Sequence, residues 1–150
     1  MILSLYFDGS CEPVNPGGIA TAGWILKGDG GKVIDSAALF VCEGAKATNN
    51  VAEYSALLAG LKQACSFLSA GDALVIFGDS KLVINQLTGS WRINKDHLRK
   101  LRDECIQVIG DIPFQAEWIE REKNHEADAL SQKAYVEKTG KPYPMRGRRP

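Results

Sequence analysis

The chain has 150 residues, 45% of them hydrophobic, with 18 basic and 18 acidic residues and no formal net charge. That is about one domain, large enough for a real core, and no apolar run approaches the roughly 20 residues of a membrane span. The zero charge hides an asymmetry: residues 1–137 carry 13 Lys and Arg against 18 Asp and Glu, a balance of −5, and residues 138–150 carry five basic and no acidic residues. We therefore read a domain over 1–137 and a basic, Pro/Gly-rich C-terminal tail over 138–150, either an electrostatic arm for a polyanion or a solubilising terminus. No basic n-region or cleavage site opens the chain, so a soluble cytoplasmic protein is the expectation. The four cysteines, Cys11, Cys42, Cys65 and Cys105, form no CxxC pair. Free thiols are expected, with a disulfide left open.

Residues 2–8 predict the first strand, with Leu3, Leu5 and Phe7 on one side and Ser4, Tyr6 and Asp8 on the other. The apolar run stops at Asp8, before a turn-rich segment, Gly9 to Gly18. Asp8-Gly9 alone fits a turn. Residues 19–27 and 32–42 are rich in strand formers, and Gly28-Asp29-Gly30-Gly31 between them signals a hairpin. Thr48, Asn49 and Asn50 then offer helix starts. Val51, Tyr54, Leu58, Leu61, Cys65 and Leu68 repeat at steps of three and four, which predicts a helix of about 20 residues ending before Gly71. Glu53 lies in its first turn, where capping help is an alternative reading.

Residues 73–78 predict a fourth strand, parallel to the first through a right-handed crossover. It too runs into an acid, Asp79, followed by Ser80. Two strands each leading to an aspartate can bring both carboxylates to the sheet edge where open α/β sheets bind ligands. A short helix over 80–88 stops at Gly89, and 94–109 predicts another, with Leu98, Leu101, Cys105 and Val108 inward. Residues 114–119 predict the fifth strand. A last helix runs from the cap Asn124 to about Lys138, with Asp128 in its first turn. The fold class is α/β: a mixed five-stranded sheet with helices on its faces.

Four segments now stand out: DGSCEPVNPG at 8–17, TNNVAEY at 48–54, GDSKLVINQL at 78–87 and NHEADAL at 124–130. In order and spacing they resemble the motifs of the ribonuclease H type 1 family, over residues 1 to about 137. The resemblance implies an RNase H-like sheet of order 3-2-1-4-5 with strand 2 antiparallel. It also implies hydrolysis of the RNA strand of RNA/DNA hybrids by two-metal-ion catalysis, leaving 5′-phosphate and 3′-hydroxyl ends. Asp8, Glu53, Asp79 and Asp128 would be the catalytic and metal-binding residues, with Asp8 bridging two Mg²⁺ ions and Mn²⁺ as a substitute. The residues agree with this: Mg²⁺ prefers oxygen ligands, and two metals can activate water, neutralise phosphoryl charge and stabilise the leaving oxygen. Two bare carboxylates about 5 Å apart repel by roughly 3 kcal/mol at an effective dielectric of 20. A fold gains nothing in stability by keeping four of them together.

By the same resemblance Ser10, Asn15, Asn49, Asn50 and Ser80 would line the hybrid, and Thr48, Asn85 and Trp91 would contact the DNA strand. Reading 2′-hydroxyls in a shallow minor groove suits short polar side chains; turns and helix caps are the alternative for the asparagines. Residues 91–102 hold five basic residues and a leading Trp91, which fits backbone binding or an exposed helix face. The long basic insertion of some family members is absent or reduced here. The loop from Ile119 to Asp128 is also short, so Arg121 or His125 would take the proton-transfer or product-release role of the family's loop histidine. A monomer is expected, with no membrane or protein partner. A non-catalytic hybrid-binding module and another nuclease or strand-transfer enzyme of the same fold remain as alternatives.

Overall fold

Leu3, Leu5 and Phe7, alternating along the first strand, are fully buried, and that strand lies in the middle of the sheet. The computed structural model describes residues 1–144. Its strands are β1 (Ile2–Glu12), β2 (Ile19–Lys27), β3 (Val33–Glu43), β4 (Ala73–Gly78) and β5 (Phe114–Trp118); its helices are α1 (Asn49–Phe67), α2 (Lys81–Leu87), α3 (Asp96–Ile109) and α4 (His125–Thr139). The sheet order is β3-β2-β1-β4-β5. β2 is antiparallel to both of its neighbours, and β4 runs parallel to β1 and to β5. This is the expected RNase H-like sheet.

Helix α1 covers one face, packing Tyr54, Leu57 and Leu61 with Leu5, Phe7 and Trp24. Its buried row is not quite the one the apolar spacing suggests. Ala52, Ala56, Gly60 and Ala64, at steps of four, are buried along with Glu53, Tyr54, Leu57 and Leu61. Small side chains let the helix lie close to the sheet: a Cβ on Gly60 would crowd the Leu5 side chain. Helix α4 lies across the other face, over β2, β3 and β1.

Two expectations need correction. β1 does not end at Asp8 but continues to Glu12, because Gly9 through Glu12 go on pairing with β2. Only its pairing with β4 stops, at Phe7 opposite Gly78. Helix α1 is closed by Leu68 rather than by Gly71. Gly71, at φ +90°, instead shapes the next turn, where the Ser69 amide donates to Asp72 Oδ2 at 3.0 Å.

All four cysteines are free. Helix α4 ends at Thr139 with Gly140 left-handed, and Tyr143 returns to pack edge-on against Tyr135, ring centroids 5.5 Å apart. The last six residues of the expected basic tail, 145–150, lie outside the described residues. Among those described, no helix is long and apolar enough to cross a membrane.

Candidate active site

The site forms where β1 outlasts β4. Asp8 is the next residue on β1 after the final parallel pair, Phe7 with Gly78, and Asp79 follows Gly78 on β4, so the two acids emerge side by side. Gly9 faces α1, and a Cβ there would run into the backbone of Ala52 and Glu53. Helix α1 therefore rests directly on β1 at Ala52 and Glu53 and delivers Glu53 just past its first turn, not within it as expected, because the helix already starts at Asn49 behind the cap Thr48. Gly23 does the same on the opposite face, where a Cβ would meet the Ala127 carbonyl and Leu130 Cβ. Its cross-strand partner is Asp8, so α4 brings Asp128 alongside.

Asp8, Glu53 and Asp79 each present a carboxylate oxygen, and these atoms lie within 4.8 Å of one another. Asp8 is 5% exposed and Glu53 8%. Burial holds the Asp8 carboxyl well above the usual carboxylate range, and the charges of Glu53, Asp79 and Asp128 add to this. Burial also holds Glu53 well up, with Asp79 adding. Asp79 is raised by burial too, with Arg121 pulling it back down. Asp128 stands outside the tight trio but lines the same cleft of about 370 Å³. Its Oδ2 accepts from Gln132 Nε2 at 3.0 Å, and its Oδ1 is 4.0 Å from Arg121 Nη2.

This donor set suits a hard divalent cation. Every candidate ligand atom in the trio is a carboxylate oxygen, and Glu53 Oε2 is buried without a hydrogen-bond partner. A buried carboxylate oxygen left in that state is costly unless a cation or proton meets it. The trio can therefore bind metal and, through it, an anionic oxygen compound.

The other sequence candidates divide by position. Ser10, Asn49, Asn50, Ser80 and Arg121 line the cleft with the four acids. The Ser10 hydroxyl, however, points into a buried triangle, 3.2 Å from both the Thr21 and Ser131 hydroxyls. Asn15 Oδ1 accepts from the Asn49 amide at 3.1 Å, and Asn49 Oδ1 from the Cys11 amide at 2.9 Å, which ties the 13–18 loop to α1 and β1. Thr48 and Ser80 cap α1 and α2 through Val51 and Val83. Asn85 and Trp91 lie outside the cleft lining, joined by the Trp91 amide donating to the Asn85 carbonyl at 3.0 Å. His125 is exposed outside the lining, its Nδ1 3.3 Å from the Glu122 carbonyl oxygen.

Sequence reasoning missed two residues. Asn124, expected as a helix cap, makes no capping bond. It is 1% exposed, donates from Nδ2 to the Phe7 carbonyl at 2.9 Å, and its amide also favours the charged form of Asp79. Trp118, at the end of β5, lines the cleft and donates from Nε1 to the Asp79 carbonyl at 3.0 Å. Its position as the last residue of a strand beside β4 was the available signal.

Residues 6–134 match a family model described as reverse transcriptase-like. The chain is 40% identical over 131 residues to a ribonuclease HI of Halobacterium salinarum, an alignment covering 86% of this chain and 62% of that protein. It thus spans about three-fifths of that curated relative, and 24% of a bifunctional Mycobacterium tuberculosis protein that is 40% identical over 90 residues. The fold superposes on the crystal structure of RNase H1 from Halobacterium salinarum with a TM-score of 0.81 and 33% identity, covering 91% of this chain and 99% of that one. For the N-terminal RNase H domain of a Mycobacterium tuberculosis protein the values are 0.82, 28%, 93% and 99%. For LC11-RNase H1, solved in complex with an RNA/DNA hybrid, they are 0.82, 26%, 93% and 99%.

Proposed function

We propose, for a chain that belongs to the ribonuclease H type 1 family, that it cleaves the RNA strand of RNA/DNA hybrids as an endoribonuclease, leaving 5′-phosphate and 3′-hydroxyl ends. The observation that carries this reading is the convergence of Asp8, Glu53 and Asp79 from three separate elements, oxygens within 4.8 Å, on a fold whose relative LC11-RNase H1 was solved with such a hybrid.

Asp8, Glu53, Asp79 and Asp128 are the residues that would hold two Mg²⁺ ions. Bound there, such ions supply an activated water and charge neutralisation at the phosphoryl and leaving oxygens. The chain's own contribution is placement. Asp8 on β1 and Glu53 on α1 are fixed by the sheet and by the helix seated on Gly9. Asn49 and Asn50 at the start of α1, with Ser80 at the start of α2, present polar groups along the cleft, suited to ribose hydroxyls in a minor groove. Arg121 offers a positive charge at the Asp128 side, where it can assist proton movement or product departure. Asn15 acts through Asn49. Asn85 and Trp91 extend the contact toward the DNA strand. The basic segment 138–150 favours the phosphate backbone. A cytoplasmic monomer is the setting this reading assumes.

The test is cleavage of one strand-labelled hybrid with Mg²⁺ and with chelator, beside duplex DNA and duplex RNA. Cutting of the RNA strand of the hybrid alone, abolished by chelator, is the expected result. Tight hybrid binding without cleavage would make the chain a non-catalytic module, and cleavage of either control duplex would point to another nuclease of this fold.

A further inference from the structure

Among the three clustered acids, Asp79 has the least support from its own backbone. Asp8 lies inside β1 and Glu53 inside α1, whereas Asp79 occupies the short link between β4 and α2. Gly78 supplies the last carbonyl of the sheet ladder, accepting from the Ile119 amide at 2.9 Å, and Ser80 supplies the first carbonyl of the α2 ladder, accepting from the Ile84 amide at 3.1 Å. The Asp79 carbonyl falls between the two ladders. Its donor is the Trp118 indole N–H, at 3.0 Å. That indole is held in turn by its place opposite Gly78 on β5 and by the Lys81 ammonium, 4.7 Å from the ring centroid.

We propose that Trp118 is a positioning residue for Asp79: its indole N–H pins the β4–α2 link and so keeps the Asp79 carboxylate among the other two acids. The need for such a pin is electrostatic. Clustered carboxylates repel when no cation lies between them, and a link outside both ladders is the first part of the cluster able to yield. The Lys81 ammonium stands over the ring, and Asn124 meets the same acid at its carboxylate. The proposal rests on the reading of Asp79 as a metal ligand.

The test uses Trp118→Phe, which keeps an aromatic ring and removes the N–H. Calorimetric titration of Mn²⁺ into the full chain without hybrid is expected to show affinity about tenfold weaker than wild type, the lower end of what removing a group that orients a metal ligand costs. The metal concentration for half-maximal cleavage should rise in parallel, with KM for hybrid at saturating metal unchanged. A lower melting temperature with unchanged Mn²⁺ affinity would make Trp118 merely structural and overturn the proposal. A raised KM with unchanged Mn²⁺ affinity would make it a substrate wall, with the same consequence. A second measurement needs no change at Trp118. In Trp91→Phe, whose remaining tryptophans are the buried Trp24 and the half-exposed Trp118, Mg²⁺ titration should shift the long-wavelength part of the emission, which belongs to Trp118, and Asp79→Asn should abolish the shift; a long-wavelength emission indifferent to Mg²⁺ overturns the proposal. Failure of wild type to bind Mn²⁺ at all would instead defeat the metal-site reading on which this one stands.

Discussion

Asp8 and Gly23 are direct partners across the β1–β2 ladder, and the space a Gly23 side chain would take is filled by the Ala127 carbonyl of α4. The residue opposite the central acid is thus the one that lets the helix bearing Asp128 touch the sheet. Gly23→Ala must push backbone away, since no flexible side chain is there to yield. The expected cost is about 1–3 kcal/mol, as for other overpacked sites, read by urea unfolding. Cleavage at a temperature where the variant remains folded should fall as well, because Asp128 moves with the helix. Wild-type stability and rate together in this variant would contradict the role given to Gly23.

Asp8→Asn separates catalysis from folding. It removes the acid shared by every neighbour in the cluster, so cleavage of labelled hybrid should disappear. Metal-free stability should be equal or higher, because repulsion is relieved. Each neighbouring charge about 5 Å away accounts for at most about 3 kcal/mol of that repulsion at an effective dielectric of 20, and protons already taken up by the cluster reduce the gain. Urea unfolding in chelator measures the gain. A large loss of stability, or full activity, would each contradict the assignment of Asp8.

Strands, helices and the four acids were legible because each leaves a local trace: alternating apolar residues, caps such as Thr48 and Ser80, acids placed just after apolar runs. The strand ends already put Asp8 and Asp79 at one sheet edge; that Glu53 and Asp128 join them was legible only through four segments in a known order. Gly9 and Gly23 were not, since a glycine in a strand reads as a weakness until the element crossing it is known. Asn124 looked like a cap because Asn before a helical row is a good cap; tertiary structure used its amide to reach Phe7 instead. The true extent of β1 was hidden because Gly9 to Glu12 have turn-like composition, while their pairing is set by β2.

The raised carboxyls give the metal-free protein a signed pH dependence. Asp8, Glu53 and Asp79 all titrate higher folded than unfolded, chiefly through burial. Between the ordinary carboxylate range and those raised values the folded state binds more protons than the unfolded chain, so stability falls as pH rises. Asp72, held low mainly by its hydrogen bond with the N-terminal ammonium, works in the opposite sense. The clean quantity is therefore the difference between wild type and Asp8→Asn. In chelator, wild type should lose stability relative to the variant as pH rises from the ordinary carboxylate range through the raised values, and Mg²⁺ should cancel the loss. A difference independent of pH would mean that the cluster is not protonated in the folded state.

Arg121 and His125 compete for one role, and their surroundings favour the arginine. Arg121 lines the cleft, 4.0 Å from Asp128, and its charge lowers Asp79. His125 lies one residue beyond the 3-10 turn Arg121–Asn124, with its ring on the Glu122 carbonyl. Removing a cation favours the protonated form of a nearby acid. Arg121→Ala should therefore move the ascending limb of the pH–rate profile to higher pH. It should also lower the plateau about tenfold, equivalent to roughly 1.4 kcal/mol of transition-state stabilisation. His125→Ala should keep both the limb and the plateau within about twofold of wild type, an effect of roughly 0.4 kcal/mol. Measuring both variants on the same hybrid separates the roles. If the ascending limb vanishes only in the histidine variant, a side chain outside the cleft in this conformation must swing in during turnover, and the ranking reverses.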